Sequence, residues 1–376
     1  MSSNNNDKTK ATATAEERLA KLLSISEECD CVDELAKLVE SGQPFKAYNG
    51  FEPSGRIHIA QALVTVRNAN VITWCGGTMV IYIADWFAQL NHKMGGDMDK
   101  IKQVGQYFIE VFKASGLDLD NCKFVWASEL INATPTYWPR VLDIASKTSV
   151  DRAKRCTQIM GRTAQDALDV SQLIYPLMQA ADAFELDGTG VDICQLGLDQ
   201  RKANMLVREY AGKVGLKPPI SLCHHMLLGL KYNASKAPKK ADDAATAGLA
   251  PEEKLVPGAK MSKSDPDSAI FMDDSTAEIV RKINGAFCND DPKDNPVFEY
   301  FRYIVLPWCS PVTLFNKTYN NHEELAADFP AMNKAELKAQ LAKYIDSLVE
   351  PVRKHFDSTP ELSALRDRVA SYRVTR

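Results

Sequence analysis

Three polar side chains recur along one stripe of an otherwise apolar helical segment. The stretch LIYPLMQAAD carries Tyr175, Gln179 and Asp182, separated by four and then three residues. That spacing puts the phenol, the amide and the carboxylate on the same face of a helix. Two interpretations are open: the three groups line a ligand pocket, or Asp182 lies at the helix surface while Tyr175 packs in the core.

A second segment has the pattern of an anion-binding turn. Residues 48–61, YNGFEPSGRIHIAQ, read as a strand, a Gly/Pro/Ser turn and a helix that begins near His58. Free N–H groups and the positive end of the helix dipole favour an anion there. Gly50 and Gly55 allow a ligand to approach the backbone, and His58 can donate to phosphate oxygens. A glycine-rich turn that binds nothing has the same pattern, so this motif alone is weak.

A third segment offers paired positive charge. Residues 260–267, KMSKSDPD, place Lys260 and Lys263 three apart on a loop that follows a low-complexity stretch. Lysines on a movable loop stabilise the charge that develops on a transferring phosphoryl group. Such a loop closes on a nucleotide and reopens. The alternative is an ordinary solvated loop, which is the default for any KxxK pattern.

Strands that alternate with helices must position these residues. The predicted strands are FKAYNG, TMVIYIA, KFVWAS, VDICQLG and PPISLC, and one of the helices between them begins near Asp199. This alternation predicts an α/β domain with a mainly parallel sheet. Ligands in such sheets bind at the carboxyl ends of strands, and Tyr48, Asp85 and Gln195 fall at predicted strand ends.

We divide the chain into a tail and two domains. Residues 1–14 are polar and are predicted to be disordered, whereas residues 15–274 form the α/β domain. A connecting insertion lies at about 130–170, and the Ala/Lys/Asp-rich stretch 233–254 is interpreted as a mobile surface insertion. Beyond about residue 275 the strand patterns cease, so residues 275–376 are predicted to form a mostly α-helical domain.

Composition and charge exclude several classes of protein. The chain has 376 residues, of which 45% are apolar and 25% charged, as is typical of a globular protein. No stretch approaches the ~18–20 apolar residues that a membrane helix needs, so no membrane partner is expected. The net charge is −4, so an RNA site must be a local basic patch.

The nine cysteines are scattered and form no CxxC motif, which indicates reduced thiols in a reducing compartment. The segment Cys223-His224-His225 is interpreted as a strand end with incidental histidines, because no second cluster of ligands accompanies it. The N-terminal residues lack an apolar signal core. We therefore expect a cytoplasmic protein without a metal of its own.

Together, the turn and the lysine loop resemble the HIGH and KMSKS signatures of class I aminoacyl-tRNA synthetases. The first signature reads His58-Ile59-Ala60-Gln61 here, so its glycine and its second histidine are replaced. The segments YPLMQAAD, GLDQRK and YNGFEPSG closely resemble tyrosyl-tRNA synthetases of the archaeal and eukaryotic branch, over roughly residues 45–356. The resemblance implies a Rossmann-like parallel-sheet catalytic domain followed by a mostly α-helical anticodon-binding domain.

The same resemblance implies a pocket for tyrosine. Its six residues are Tyr48, Glu52, Tyr175, Gln179, Asp182 and Gln200. Tyr48 and Asp182 would bind the phenolic hydroxyl, because a phenol both donates and accepts and so suits one acceptor and one donor. Tyr175, Gln179 and Gln200 would hold the α-amino group, and Glu52 would border the ligand.

The resemblance also implies an ATP site at the turn and the lysine loop. Its residues are Gly50, Gly55, His58, Gln61, Lys260 and Lys263. His58, Lys260 and Lys263 are the candidates for catalysis, by positioning and charge stabilisation. The tyrosine carboxylate would attack the α-phosphate of ATP, and the tyrosyl group would then pass to the 3′ end of tRNA(Tyr). Mg²⁺ would accompany ATP, and no tightly bound cofactor is expected.

RNA contacts and a homodimer follow from the same resemblance. The connecting region supports both the dimer and the acceptor stem in that family, and here it carries Arg152, Lys154, Arg155 and Arg162. A solvated helix face is the alternative interpretation of this charge run. Arg201 and Lys202 match positions associated with the acceptor end. Phe315 can stack on an anticodon base, and Glu336 can accept hydrogen bonds from a guanine.

The sequence therefore predicts a tyrosine–tRNA ligase. A tryptophanyl enzyme shares the fold, but Tyr48 with Asp182 favours a phenol over an indole. A small-molecule adenylyltransferase would not need a KMSKS-like loop beside a helical RNA-reading domain. The remaining alternative is a catalytically inactive RNA-binding paralogue, which predicts damage at His58, Lys260, Lys263 or the pocket. All of these are intact here, apart from the end of the HIGH signature.

Overall fold

A computed structural model of the chain describes residues 13–161, 167–233, 260–263 and 265–373. The predicted N-terminal tail and the predicted insertion at 233–254 therefore lie almost entirely outside the described residues. Arg162 of the basic segment also lies outside them.

The chain divides into two compact units. The first comprises Met1–Ser54, Asn68–Gly105 and Asp118–His225. The second comprises Gly55–Arg67, Gln106–Leu117 and Met226–Arg376. The division at residues 274 and 275 that the sequence suggests stays a prediction.

Helices and strands alternate as far as residue 224. In chain order they are α1 (Ala15–Leu23), β1 (Glu28–Cys29), α2 (Val32–Glu40), β2 (Phe45–Phe51), α3 (Ile59–Trp74), β3 (Gly77–Ile83), α4 (Asp85–Leu90), α5 (Met98–Ala114), β4 (Cys122–Trp126), α6 (Ala127–Ala133), α7 (Tyr137–Ser146), α8 (Val150–Cys156), α9 (Val170–Glu185), β5 (Ile193–Gly197), α10 (Arg201–Val214) and β6 (Ile220–His224). The start of α1 is set by Thr14, whose side chain accepts the Glu17 N–H at 3.1 Å while the Glu17 carboxylate accepts the Thr14 N–H at 2.9 Å. This reciprocal cap satisfies N–H groups that the first helical turn leaves open.

Strands β1 to β6 form one sheet in the order β1-β6-β5-β2-β3-β4. Every neighbouring pair is parallel except β1 with β6. From β2 the chain builds β3 and β4 on one side, whereas β5 and β6 lie on the other side, so the strand order reverses between β2 and β5. Ligands of such sheets bind outside the carboxyl ends of the strands at this switch point. The predicted α/β class is confirmed.

The buried core of the first unit contains phenols as well as hydrocarbon side chains. Val80 of β3 and Leu196 of β5 pack there with residues of α7, α9 and α10. Tyr48, Tyr82 and Tyr137 belong to the same core, and none of them is more than 2% exposed. A buried phenol requires a hydrogen-bond partner for its hydroxyl, so these three residues point to a polar centre inside the apolar core.

Helices dominate beyond residue 275, where the sequence predicts a mostly α-helical region. In chain order the elements are α11 (Thr276–Asn284), α12 (Pro296–Tyr300), α13 (Leu306–Cys309), β7 (Val312–Leu314), β8 (Lys317–Tyr319), α14 (His322–Asp328), α15 (Lys334–Phe356) and α16 (Pro360–Ser371). A π-helical turn, Phe301–Val305, joins α12 to α13. In the part of the chain that the structure describes, no helix has both the length and the apolar character to cross a bilayer.

The expectation that strands cease beyond residue 275 is wrong at one place. Strands β7 and β8 pair antiparallel as a hairpin. Its central residues, Phe315 and Asn316, have φ values of 50° and 64°. Two successive positive φ angles are typical of the type I′ turn, whose twist suits a two-residue hairpin. Strands of three residues are too short to leave an alternating pattern in the sequence.

Two of the three predicted strand-end residues lie inside their strands. Tyr48 is the middle residue of β2, and Gln195 is the middle residue of β5. Asp85 does follow β3, where it begins α4. It is buried, accepts hydrogen bonds from the Ser128 N–H and hydroxyl at 2.9 and 2.6 Å, and pairs with Lys102 at 2.7 Å. Its oxygens are therefore occupied by the protein itself.

Candidate active site

Helix α9 carries the polar stripe into the interior of the first unit. Tyr175 is 7% exposed and Asp182 only 1%, whereas Gln179 is half-buried. The helix follows Asp169, whose N–H donates to the side-chain oxygen of Gln172 at 3.2 Å. Asp182 therefore lies inside the unit, and the interpretation that places it at the helix surface is wrong.

Two phenols from other elements hold one oxygen of Asp182. The hydroxyl of Tyr82 on β3 donates to Oδ1 at 3.0 Å, and the hydroxyl of Tyr137 on α7 donates to the same atom at 2.7 Å. The other oxygen, Oδ2, receives no hydrogen bond from the residues that the structure describes. Oδ2 is therefore an acceptor suited to a donor from a ligand.

The protonated and ionised forms of Asp182 are similarly populated near neutral pH. Burial raises its pKa to about 7, against the lowering effect of the hydrogen bonds from Tyr137 and Tyr82. Burial acts in this direction because a low-dielectric interior disfavours the charged form of a carboxyl group. A ligand hydroxyl that donates to Asp182 favours the ionised form.

Tyr48 supplies a second polar group at the same centre. On the sheet it pairs with Cys194 of β5, across the point where the strand order reverses. Burial raises the pKa of Tyr48 well above its usual value, and the negative charge of Asp182 adds to this, so the phenol stays neutral. A neutral phenol hydroxyl can donate to an oxygen of a ligand.

Glu52, one residue beyond β2, is held by several side chains. The Asn91 amide nitrogen lies 3.0 and 3.2 Å from its two oxygens, and Lys93 Nζ lies 4.0 Å from one of them. Burial raises the pKa of the nearby Tyr175 phenol well above its usual value, and the negative charge of Glu52 adds to this. Asn91 is fully buried and donates to the Met160 carbonyl at 3.3 Å as well. The structure thus brings Glu52 and Tyr175 together and adds Asn91 and Lys93, which no motif indicated.

The remaining residues of the predicted pocket also meet. The Gln179 side-chain nitrogen donates to the Gln200 side-chain oxygen at 3.3 Å, and Gln200 donates to the Ile159 carbonyl at 3.1 Å. The ring of Phe87 packs edge-on against Tyr175 at a centroid distance of 4.9 Å. The first unit therefore collects carboxylate, amide and phenol groups around an aromatic wall.

The glycines of the predicted turn differ in what they require. Gly55 has a φ of +117°, a conformation that residues with side chains rarely adopt. Gly50 lies on β2 with ordinary backbone angles, and a Cβ added there would make a contact of 3.6 Å with the Tyr82 ring. Gly55 is therefore needed by the backbone, whereas Gly50 is exposed and a Cβ there would make only ordinary van der Waals contacts.

His58 and the two lysines come together in the second unit. His58 pairs with Phe271 in an isolated bridge, just after the lysine loop. Burial, followed by the positive charges of Lys263 and Lys260, lowers its pKa to about 3. The imidazole is therefore neutral, and its Nδ1 accepts the Gln61 N–H at 3.3 Å. The proton must then lie on Nε2, which is available as a donor.

Charged contacts fix the turn to the segment after the lysine loop. Arg56 Nε lies 2.9 and 3.0 Å from the carboxylate oxygens of Asp273, and Arg56 Nη2 lies 2.8 Å from Asp274. Lys263 Nζ lies 4.9 Å above the ring of Phe108. No motif indicated Arg56, Asp273 or Asp274, because their pairing joins positions more than 200 residues apart in the chain.

The side chain of Gln61, which replaces the second histidine of the signature, has an unused acceptor. Its buried Oε1 has no hydrogen-bond partner among the residues that the structure describes. Buried polar atoms are usually paired, so an unpaired amide oxygen beside His58 points to a missing donor.

Of the residues predicted to contact RNA, two are held by other side chains and two are exposed. Arg201 pairs with Glu28 at 2.6 Å, and Lys202 donates to Gln158 at 2.7 Å. Phe315 is 37% exposed at the turn of the β7–β8 hairpin, where an exposed ring is available for stacking. Glu336 is exposed in the first turn of α15.

Comparison with known proteins assigns the family. A model described as tRNA synthetases class I (W and Y) matches residues 40–350. Cytoplasmic tyrosine–tRNA ligase 1 of Arabidopsis thaliana is 43% identical, over 100% of this chain and 94% of that protein. Tyrosine–tRNA ligase of Saccharolobus solfataricus is 34% identical, over 98% of this chain and 100% of that protein.

Solved structures agree with these relatives. The Leishmania major tyrosyl-tRNA synthetase in complex with tyrosinol has a TM-score of 0.85 and 41% identity, over 96% of this chain and 61% of that one. The Pyrococcus horikoshii tyrosyl-tRNA synthetase complexed with L-tyrosine has a TM-score of 0.82 and 32% identity, over 95% of this chain and 100% of that one.

The chain belongs to the class I aminoacyl-tRNA synthetases, in the family of the tryptophan and tyrosine enzymes. Within that family its function is that of a tyrosine–tRNA ligase of the archaeal and eukaryotic type. The resemblance inferred from the motifs is thus confirmed, and the family uses ATP. An inactive RNA-binding paralogue is not favoured by these relatives.

Proposed function

We propose that the buried groups around Asp182 read the side chain of tyrosine, and that His58 with the two loop lysines activates its carboxylate with ATP. The observation that carries the proposal is a buried carboxylate, 1% exposed, that keeps an unsatisfied oxygen beside a neutral phenol donor. Such a pair fits a ligand that both donates and accepts through one hydroxyl group.

The phenolic hydroxyl of tyrosine donates to Asp182 Oδ2 and accepts from Tyr48. Phenylalanine fills the same apolar space but leaves both protein groups without a partner, which strongly disfavours it in a buried site. Tryptophan offers an N–H donor and no acceptor, so it leaves Tyr48 unpaired.

The α-ammonium group of tyrosine requires acceptors. Tyr175 and the amides of Gln179 and Gln200 offer oxygens for it, and the Glu52 carboxylate offers charge. Glu52 is in turn oriented by Asn91. These groups leave the carboxylate of the amino acid as the reacting end.

The first chemical step joins that carboxylate to ATP. A carboxylate oxygen attacks the α-phosphorus, the bond from the α-phosphorus to the bridging oxygen breaks, and pyrophosphate leaves with the electron pair. His58 donates from Nε2 to a phosphate oxygen, with Gln61 beside it, and Lys260 and Lys263 neutralise charge on the phosphates. Gly55, with Gly50, keeps the backbone open to the nucleotide.

Mg²⁺ enters with ATP in this proposal. Among the described residues there is no group of three or more His, Cys, Asp or Glu side chains placed to hold a metal. The oxygens of the nucleotide phosphates are therefore the expected ligands, as is usual for this ion, which keeps several of its waters. Its charge would offset that of the leaving pyrophosphate.

The second step transfers the tyrosyl group to the 3′-terminal ribose of tRNA(Tyr). Arg201 and Lys202 contact the acceptor end, Phe315 stacks on an anticodon base, and Glu336 accepts hydrogen bonds from a guanine. Phe315 and Glu336 are both exposed, and stacking together with hydrogen bonding to unpaired bases is how loops of RNA are read.

The protein acts as a cytoplasmic homodimer in this proposal. The Arabidopsis thaliana relatives are named as cytoplasmic enzymes. The connecting region offers exposed apolar side chains, of which Trp138 and Leu142 lie one turn apart on α7 and Val150 begins α8. Exposed apolar clusters of this kind are typical of protein–protein contacts.

A two-stage assay tests the proposal. The protein is incubated with radiolabelled tyrosine and ATP, and bound tyrosyl-adenylate is counted before and after a chase with tRNA(Tyr) transcript. We expect stoichiometric adenylate that is passed to the RNA. Adenylate that is never transferred would identify an adenylyltransferase, and RNA binding without adenylate would identify an inactive paralogue.

A further inference from the structure

We infer that Tyr82 and Tyr137 are positioning residues that saturate one oxygen of Asp182, reserve the other for the substrate hydroxyl, and so set the discrimination between tyrosine and phenylalanine. The inference rests on the proposed tyrosine ligation. It adds two specificity-determining residues that no motif of the sequence indicates.

The geometry assigns the two oxygens of Asp182 to different tasks. Both phenols donate to Oδ1, at 3.0 and 2.7 Å, although they come from β3 and from α7. Donors from two separate elements fix the rotation of the carboxylate. The Tyr137 hydroxyl also lies 3.2 Å from the Met178 carbonyl, one turn back on the helix that carries Asp182. Oδ2 is thereby held in one direction for an incoming donor.

The two phenols act as permanent donors. Burial raises the pKa of each of them well above the usual value, and the negative charge of Asp182 adds to this. Neither phenol therefore ionises near neutral pH. Neither becomes an anionic acceptor that would compete with Asp182 for the substrate hydroxyl. Both hydroxyl groups therefore remain able to donate to the carboxylate.

Five titratable groups, each on a different element, interact electrostatically with Asp182. They are Tyr48 on β2, Tyr82 on β3, Tyr137 on α7, Cys194 on β5 and Tyr175 on α9 itself. None of these groups is positively charged. The hydrogen bonds from Tyr82 and Tyr137 are thus what counteracts burial and holds the pKa of Asp182 down to about 7.

Removing one phenolic hydroxyl therefore raises the pKa of Asp182. Since that pKa is about 7, a rise of about one unit lowers the ionised fraction at pH 7 about fivefold, whereas at pH 9 the fraction hardly changes. A pH-dependent loss of tyrosine recognition separates this role from a purely structural one, because a packing defect weakens binding equally at both pH values.

The test uses Tyr82→Phe and Tyr137→Phe, each of which deletes a single oxygen atom. ATP–pyrophosphate exchange is measured with tyrosine and with phenylalanine between pH 6 and pH 9, with KM for ATP as a second readout. In each variant we expect the tyrosine-to-phenylalanine ratio of kcat/KM to fall about fivefold at pH 7 and to recover by pH 9. The KM for ATP is expected to stay unchanged.

Tyr210→Phe is the matched control, because the Tyr210 hydroxyl donates to a different carboxylate, Asp143, at 2.6 Å. It should keep the pH profile of the unmodified enzyme. The inference is overturned if Tyr82→Phe and Tyr137→Phe also keep that profile, or if they lose the same factor at pH 6 and pH 9. Either variant alone carries the test if the other does not fold. If the unmodified enzyme shows no exchange with tyrosine, the proposed function itself fails instead.

Discussion

Replacing Asp182 by asparagine keeps the size of the side chain but changes both of its functions. The amide oxygen can still accept from Tyr82 and Tyr137, as Oδ1 does now. The amide nitrogen takes the place of Oδ2, and it donates where the substrate hydroxyl requires an acceptor. The substrate then loses a hydrogen bond to a charged group, which is worth about 1.5–3 kcal/mol. We expect kcat/KM for tyrosine to fall about 10- to 150-fold, with little loss for phenylalanine.

The same substitution should raise the stability of the fold above neutral pH. The pKa of Asp182 is about 7 in the folded protein and about 3.8 when the chain is unfolded. Between these values the unfolded state releases a proton that the folded state keeps, so the free energy of unfolding falls as pH rises. The difference between these two pKa values corresponds to about 4 kcal/mol of lost stability above pH 7. Asparagine does not ionise, so the variant does not lose this stability.

Two assays check these expectations. Pyrophosphate exchange measures the loss for tyrosine, and urea denaturation at pH 4 and pH 8 measures the difference in stability between Asp182→Asn and the unmodified enzyme. That difference should grow in favour of the variant as pH rises. A difference independent of pH would refute the reasoning about burial, and unchanged kcat/KM for tyrosine would refute the role of Oδ2. The control is Asp143→Asn, since hydrogen bonds from Lys147 and Tyr210 lower the pKa of Asp143 and its substitution should not stabilise the fold as pH rises.

Three further substitutions separate the remaining parts of the proposal. Lys263→Ala removes one of the charges beside His58 and should slow adenylate formation on the order of 100-fold, as measured by rapid quench, with tyrosine binding unchanged. Leu142→Glu puts a charge on an apolar side chain that is 67% exposed and should shift the sedimentation coefficient from dimer to monomer. Glu336→Ala should lower kcat/KM for tRNA charging about tenfold, while pyrophosphate exchange stays unchanged.

Each of these substitutions has a control of the same chemistry at another site. Lys354→Ala removes an exposed lysine that pairs within α15, and Leu119→Glu charges an exposed leucine outside the connecting region. Glu361→Ala removes an acidic residue from the first turn of α16. If a substitution and its control have equal effects, the role proposed for the substituted residue is contradicted. Equal losses of tyrosine binding and adenylate formation in Lys263→Ala would also contradict the role of the lysine.

The polar stripe on α9 was predictable because it is a local pattern. Helical spacing alone puts Tyr175, Gln179 and Asp182 on one face, and the apolar residues around them bury that face. Their hydrogen-bond partners were not predictable in this way. Tyr82 lies in an apolar strand and Tyr137 begins a helix 45 residues before Asp182, so only the folded chain brings the three together.

Backbone geometry and strand pairing explain the other features that the sequence did not predict. The β7–β8 hairpin depends on positive φ angles at Phe315 and Asn316, and phenylalanine is rarely found in that conformation, so no turn signal stands out in the sequence. The ends of β2 and β5 lie beyond Tyr48 and Gln195 because pairing with neighbouring strands extends them. Pairing of this kind is a tertiary effect that local propensity does not contain.

The most direct test of the central claim is amino-acid-dependent ATP–pyrophosphate exchange, run side by side with tyrosine, phenylalanine and tryptophan. The buried pair of Tyr48 and Asp182 predicts a kcat/KM for exchange that is several orders of magnitude higher with tyrosine than with either of the other two. Comparable exchange with phenylalanine or tryptophan would keep the enzyme class and contradict the hydroxyl-reading pocket. Absence of exchange with all three would contradict the proposed activation chemistry of His58, Lys260 and Lys263.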